Sequence, residues 1–331
     1  MHFWRSGIRT GISFPSYLKR STQRFSLILS RMNSTQIWIS AFRLRTLPLA
    51  LSATTLGSLI GYAENRFKWG VFIFGTLTTL FLQILSNLAN DYGDARKGTD
   101  NENRLGPLRV TQSGLVSHKQ IQWMIGVFVV LSLISGSFLI WFGLRGDNML
   151  LYALFFVLGF SAIFAAITYT IGKRPYGYVG FGDVMVFIYF GILGVAGTYF
   201  LHTHSLHISI LLPASSVGLF SAGVLNLNNL RDHENDALNG KHTLVVRMGV
   251  RWAKTYHVVL LLTALVLAVL YTILHFESYY QLIFLLPVPL LISDINTVIT
   301  NTVPVELNRE LKRLAVATLL FSISFGIGLM L

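Results

Sequence analysis

The chain has 331 residues, of which 53% are hydrophobic and 12% charged, with a net charge of +12. Soluble domains carry about twice that charged fraction, so a soluble globule is excluded. Cysteine is absent, which also excludes disulfides, thiol catalysis and zinc–thiolate centres.

Residues 1–31 are basic, serine-rich and free of acids. Such a segment is either a transit peptide or upstream sequence, with translation starting at Met32. Residues 1–35 are therefore expected as an N-terminal extension, and 36–331 as one transmembrane domain. Runs without Asp, Glu, Lys or Arg follow at Trp69–Asn90, Ile121–Leu144, Asn148–Gly172, Val184–Leu230 and Thr255–Phe276. Most have the length of one bilayer-spanning helix, and Val184–Leu230 has room for two. The pattern predicts nine spans, at about 46–63, 69–90, 120–142, 148–171, 183–201, 208–229, 255–276, 279–300 and 312–331. Lipid tolerates only helices and closed barrels, so the expected fold class is all-α, a polytopic membrane helix bundle.

Placing the N-terminus inside puts 23 of the 26 Lys and Arg on the inner side, leaving only Arg66, Lys68 and Arg145 outside. The positive-inside rule then fixes the orientation as N-terminus cytoplasmic. It also accounts for the net charge without nucleic acid as a partner.

Two acidic clusters close the second and sixth spans. The first runs from Asn87 through Asn90 and Asp91 to Asp94, with Asp100 beyond. The second runs from Asn226 through Asn228, Asn229 and Arg231 to Asp232 and Asp236. Only 14 residues of the chain are acidic, and a carboxylate in a membrane is costly enough to imply a task. Residues four apart share a helix face, which aligns Asn228, Asp232 and Asp236, and likewise Asn90 and Asp94. The predicted topology puts both clusters on the inner side. Two such oxygen-rich groups suit magnesium, which shares its shell with phosphate oxygens; the blander alternative is helix capping and loop solvation.

The loops that follow mix glycine with cations: Lys97-Gly98, then Gly106 to Gly114 with Arg109, and Asn239-Gly240-Lys241 to Gly249. Glycine admits close approach to a phosphate, and the cation balances its charge. Neither loop carries a nucleotide-binding fingerprint. Tyr169 and Lys173, one helical turn apart, close the fourth span. Lys173 could pair with a diphosphate and Tyr169 with a leaving group, or both could be interfacial anchors. Arg43 and Arg45 open the first span. His202, His204 and His207 fall on the outer side without an acidic partner. Asp294 in the eighth span is placed to cap a helix or to help line the inner mouth.

Taken together, these residues resemble the UbiA-type intramembrane prenyltransferases. Asn90-Asp91-x2-Asp94 is similar to that family's first acidic motif, Asp232-x3-Asp236 to its second, and Tyr169-x3-Lys173 to its Y-x3-K motif. The first motif lacks a further acid at x3, the next being Asp100. Arg45-Thr46-Leu47-Pro48, Asn87 to Tyr92, Gly106 to Gly114, Asn229-x-Arg231-Asp232 and Gly240-Lys241-x-Thr243-Leu244 resemble the branch acting on 1,4-dihydroxy-2-naphthoate.

The resemblance implies Mg2+ as cofactor, held by Asp91, Asp94, Asp232 and Asp236. It implies Lys173 and Tyr169 as catalytic partners. Asn87, Asn90, Asn228, Asn229, Arg231, Lys241, Lys97, Arg45 and Arg109 are expected to bind substrate. The implied reaction joins a prenyl diphosphate to 1,4-dihydroxy-2-naphthoate with loss of carbon dioxide and diphosphate, giving demethylmenaquinone. The expected location is the cell inner (plasma) membrane with a cytoplasmic active site, or an organelle membrane if residues 1–31 are a transit peptide. Sibling acceptors such as 4-hydroxybenzoate or homogentisate, phytyl transfer, and a membrane transporter are the alternatives.

Overall fold

A computed structural model describes residues 33–331 except 102, 103, 108 and 113. The predicted extension up to Met32, and Leu108 and Ser113 of the first glycine-bearing loop, thus lie outside the described residues.

The described residues form helices and no strand. A short helix α1, Ser34–Phe42, opens with a capping box in which Asn33 and Gln36 exchange hydrogen bonds. It leads into α2, Leu47–Ala63, whose first turn holds Pro48, where a missing N–H costs nothing. Then come α3, Trp69–Lys97, α4, His118–Leu144, and α5, Met149–Thr168. The second half holds α6, Gly182–Thr203, and α7, Leu211–Leu238. After the short α8, Leu244–Met248, come α9, Val250–Leu274, α10, Tyr279–Thr300, and α11, Leu307–Gly328.

Eight of these elements are long and apolar enough to cross a membrane. With α2, the shortest at 17 residues, they match the nine predicted spans. Two predicted ends move most. α3 continues to Lys97 and α7 to Leu238, so both acidic clusters sit on helix, as their one-turn spacing implies. Burial is the reason: Asp91, Asp94, Asp232 and Asp236 are all at least 95% buried, and a buried backbone has to satisfy its own hydrogen bonds.

The bundle has two main cores. One joins α1, α3 and α4 around Leu85, Leu88 and Ile121. The other joins α2, α6, α7, α9, α10 and α11 around Leu56, Tyr199, Phe220 and Phe321. Small residues bring helices of the second core close. A Cβ on Gly57 of α2 would lie 2.5 Å from the Val195 carbonyl oxygen, and one on Gly191 would lie 2.7 Å from the Gly218 Cα. This is the small-residue packing that membrane helices use in place of a hydrophobic driving force. Within α6, Phe187–Ala196 winds as a π-helix.

Two sequence-based expectations are corrected, the first at the end of the bundle away from the acidic clusters and the second within the α9–α10 packing. His204 does have an acidic partner, since its Nδ1 lies 2.8 Å from Asp147 Oδ2. The α4–α5 connection carries Asp147 to a loop distant in sequence. Lys68 Nζ donates to the Gly143 and Leu201 carbonyls at 2.9 and 3.0 Å and also meets His204 Nε2. Asp294 neither caps a helix nor lines a mouth. It is fully buried within α10 and lies 2.7 Å from His257 Nε2 on α9, itself fully buried; the partner is on another span and invisible to local spacing.

Candidate active site

The ends of α3 and α7 meet at one end of the bundle. Lys241, in the loop after α7, is the link: its Nζ lies 3.7 Å from Asp94 Oδ2 and 3.7 Å from Asp236 Oδ1. The loops are sewn together as well. Asn235 Nδ2 donates to the Thr99 carbonyl at 2.8 Å, and the His242 amide to the Tyr178 carbonyl at 3.0 Å. Arg104 spans the clusters, 3.3 Å from Asp100 and 3.7 Å from Asp232.

Arg109 is the hub of the first cluster. Its Nη1 donates to Asp94 Oδ2 and Asp100 Oδ2, both at 2.8 Å, and to the Asn90 carbonyl at 3.0 Å. Its Nε lies 3.4 Å from Asp91 Oδ1. Burial alone would lower the Arg109 pKa, but Asp100, Asp94 and Asp91 outweigh it and hold the guanidinium above its ordinary range. Burial raises the Asp100 carboxyl, against the pull of Arg109. Asp91 also pairs with Arg43. Tyr178 donates to Asp94 Oδ1 at 2.7 Å, and Thr99 Oγ1 lies 2.7 Å from the same phenol oxygen.

In the second cluster Arg231 is fully buried. Its Nε donates to Asp232 Oδ1 at 2.9 Å, and its guanidinium reaches Asn228 Oδ1 at 2.8 Å and Asn308 Oδ1 at 2.9 Å. Asn228 thus orients an arginine. Asn87 points toward the start of α2, donating to the Phe42 carbonyl at 3.0 Å and Thr46 Oγ1 at 3.1 Å, which fixes the turn bearing Arg43 and Arg45. The buried side-chain oxygens Asn90 Oδ1, Asn229 Oδ1 and Asp236 Oδ2 have no hydrogen-bond partner among the described residues.

Arg45 is half-buried and has no ion pair among the described residues. Burial, then Arg43, Arg231, Arg104 and Arg109, lower its pKa to about 9. Burial is the larger cause, and the four arginines add positive potential at this position.

The α5 helix stops at Thr168, so the helical one-turn register does not reach Lys173. Lys173 is exposed, whereas Tyr169 is partly buried. Tyr169 packs its ring against Gly177 and Gly182. Burial, followed by Asp94, Asp183 and Asp236, keeps its phenol protonated well above the ordinary range. Lys97 is exposed and stacks its ammonium 4.1 Å from the centre of the Tyr178 ring.

Sequence reasoning missed Arg104, Tyr178 and Thr99, and placed Arg43 only at the opening of the first span. Arg104 lies in the same glycine-bearing loop as Arg109, so its charge was a signal; the tyrosine and threonine offered none.

Among the described residues, no three acids or histidines converge as a ready-made metal cage. The carboxylates face guanidinium and ammonium groups instead, and every candidate donor is oxygen.

Next to this charged end lies a cavity of about 220 Å3 walled by α2, α3, α4, α5 and α6. Gln83 and Ser86 line it, each one turn before Asn87 and Asn90. Farther along, the walls are apolar, with Leu82, Leu158, Phe190 and Leu193 among them.

An apolar helical chamber capped by clustered acids and bases defines an intramembrane enzyme for an amphiphile with an anionic head. The chain belongs to the UbiA prenyltransferase family, whose profile matches residues 50–319. It is 44% identical over 298 residues to a 1,4-dihydroxy-2-naphthoate octaprenyltransferase of Haemophilus influenzae, covering 89% of this chain and 96% of that one. It is 40% identical to the protein of the same name from Escherichia coli, over 91% and 97% of the two chains. Among solved structures, the apo form of a UbiA homolog from Aeropyrum pernix has a TM-score of 0.61 at 16% identity, covering 84% of this chain and 96% of that one. A UbiA homolog from Archaeoglobus fulgidus, bound to DMAPP and Mg2+, has a TM-score of 0.54 at 18% identity, over 87% and 98%.

Proposed function

We propose that this protein transfers a polyprenyl group from a prenyl diphosphate to 1,4-dihydroxy-2-naphthoate. The observation that carries the reading is the single Lys241 ammonium shared by Asp94 of one cluster and Asp236 of the other. It brings both acidic motifs to one anion-handling mouth beside an apolar chamber. The names of the two relatives at 44% and 40% identity support the acceptor.

In the reaction the allylic carbon–oxygen bond breaks and diphosphate leaves. The ring carbon that bears the carboxylate bonds to the allylic carbon. The carboxylate departs as carbon dioxide, its bonding pair restoring the aromatic ring. The product is demethylmenaquinone in its reduced, quinol form.

Magnesium fits the residues present: the donors are all oxygen, and Asp236, Asn90 and Asn229 each offer a buried oxygen without a partner. Asp91, Asp94, Asp232 and Asp236 would hold it, with water and substrate phosphate completing the shell. When bound, Mg2+ supplies Lewis-acid neutralisation of the departing diphosphate. Arg45 supplies fixed positive charge that no carboxylate offsets, and Lys241 and Arg109 hold the acids in place and add charge where it develops. Lys97 and Lys173, both exposed, attract the diphosphate from solution. The Tyr169 phenol stays protonated and can donate to a leaving oxygen. The apolar cavity walls keep water from the allylic cation until the ring attacks.

The charge asymmetry supports a cytoplasmic side for this mouth, and the bacterial relatives support the inner membrane as its location. The test supplies purified protein in vesicles with a prenyl diphosphate and candidate acceptors, with product identified by mass spectrometry. A prenylated, decarboxylated naphthoquinol is expected. Turnover with 4-hydroxybenzoate or homogentisate but not the naphthoate would overturn the acceptor.

A further inference from the structure

A hydrogen-bond network in the chamber wall leaves one buried acceptor over. Asn87 uses both amide hydrogens, on the Phe42 carbonyl at 3.0 Å and on Thr46 Oγ1 at 3.1 Å. A carbonyl can only accept, so the Asn87 amide cannot be turned around. The Thr46 hydroxyl gives its own proton to the Arg43 carbonyl at 2.9 Å. Gln83, one turn before Asn87 on α3, therefore meets two acceptors. Its Nε2 donates to Asn87 Oδ1 at 3.3 Å and to Thr46 Oγ1 at 3.4 Å. Turned around, Gln83 would set oxygen against oxygen at both contacts. Two backbone carbonyls thus fix the direction of the whole chain of bonds. It ends in Gln83 Oε1, a buried oxygen without a hydrogen-bond partner among the described residues.

Gln83 lines the chamber. It precedes Asp91 by eight residues, which puts it roughly 12 Å along α3 from the charged mouth at the rise of a helix. A buried acceptor left bare is costly, and whatever satisfies it has to bring a hydrogen-bond donor. The prenyl diphosphate brings none, because its tail has only C–H bonds and its ionised head accepts. A carboxylate and a quinone carbonyl likewise only accept. A phenolic hydroxyl donates.

Resting on the function proposed above, we propose that Gln83 Oε1 accepts a hydrogen bond from a ring hydroxyl of the aromatic acceptor, and so selects the dihydroxy form over its oxidised quinone. The contact holds the ring and changes no bond. Gln83 thus belongs to the acceptor and not to the prenyl donor. A site built to pair with a substrate hydroxyl discriminates strongly against an analogue that lacks it.

The experiment uses the full chain in vesicles without oxygen, with geranyl thiolodiphosphate as an unreactive donor. It measures binding of 1,4-dihydroxy-2-naphthoate, of its two monohydroxy analogues and of its oxidised quinone, with folding checked by thermal melting and turnover read separately. Gln83→Met, of similar length but without polar atoms at its end, is expected to weaken dihydroxynaphthoate binding about tenfold. Binding of the thiolodiphosphate and of the quinone should stay within about twofold. In the parent, the monohydroxy analogue that lacks the contacted hydroxyl should bind about tenfold more weakly than the dihydroxy compound, and Gln83→Met should not weaken it further. If neither hydroxyl deletion weakens binding to the parent, the inference falls, whether or not the variant folds. Unchanged naphthoate binding in Gln83→Met also overturns it and leaves Oε1 to an ordered water. An equal loss for donor and acceptor in folded protein overturns it as well, and makes Gln83 a brace for the Thr46 turn. If another hydroxyarene is prenylated in place of the naphthoate, and Gln83→Met weakens that acceptor alone, the naphthoate assignment falls and the role of Gln83 stands.

Discussion

Asp94 and Asp236 lie on different helices, and both face Lys241 Nζ at 3.7 Å. At an effective permittivity of about 20, a unit pair at that distance attracts by roughly 4.5 kcal/mol before desolvation. Removing one partner of a buried pair costs roughly 3–5 kcal/mol, because it leaves the other charge uncompensated. Asp94 also holds Arg109 and the Tyr178 phenol, so Asp94→Asn disturbs the whole mouth while preserving its size. Each single change, Asp94→Asn or Asp236→Asn, is expected to lower turnover by about 10²–10³, the range for losing one preorganised electrostatic group. Groups that act as one unit are strongly non-additive. The double variant should therefore fall only a few-fold below the weaker single variant, a coupling of roughly 1–3 kcal/mol. The assay is steady-state prenyl transfer by purified protein in vesicles, normalised to folded protein by thermal melting. Multiplying losses, toward 10⁴–10⁶, would show two independent acidic sites and refute the shared-cation argument; so would near-normal turnover of either single variant.

Asp91→Ala and Asp232→Ala are expected to abolish turnover while the protein still inserts, and chelation by EDTA to do the same reversibly on adding Mg2+; near-normal, chelator-insensitive transfer would remove the metal role. Arg45 is half-buried with no ion pair among the described residues, and a guanidinium keeps its charge across the working pH range, so Arg45→Gln should raise KM for the prenyl diphosphate about tenfold at neutral pH, whereas Arg45→Lys should recover part of the loss; an unchanged KM in Arg45→Gln would remove Arg45 from substrate binding. Asp294→Asn weakens a fully buried contact to His257 that shares no partner with the ion pairs of the mouth. Roughly 1–3 kcal/mol of stability should be lost, seen as a lower melting temperature in detergent, with turnover per folded molecule within about twofold of the parent.

The spans were legible because lipid imposes one rule on every residue of a crossing: charge-free runs had to be helices. α10 was placed at 279–300, where it lies. The acidic clusters were legible because carboxylates are rare in such a chain. Their partners were not, since ion pairs here join elements far apart in sequence. Arg43 reaches Asp91 from before α2, and Tyr178 reaches Asp94 from beyond α5. Helical spacing says which residues share a face but not what lies opposite. It therefore placed Asn228 beside Asp232 but could not show that Asn228 holds Arg231. The Tyr169–Lys173 spacing was misleading in its geometry, because the helix ends one residue before the tyrosine. Asp147 and Asp294 show the same limit: each was visible as an acid, and its histidine was not.

The π-wound stretch of α6, Phe187–Ala196, constrains how this gene can change. Tyr189, Phe190, Leu193 and Gly194 on that stretch line the chamber, and Tyr189 reaches across to Ser161 on α5. Excising one codon there while the wide winding persists would swing whatever follows by about 100°. Thr198 and Leu201 would turn from the lumen toward foreign neighbours, and Tyr199 would lose its grip on Glu64. Point replacements leave this winding in place, whereas a frame-preserving deletion at that spot would scramble a chamber wall and the far rim in one stroke.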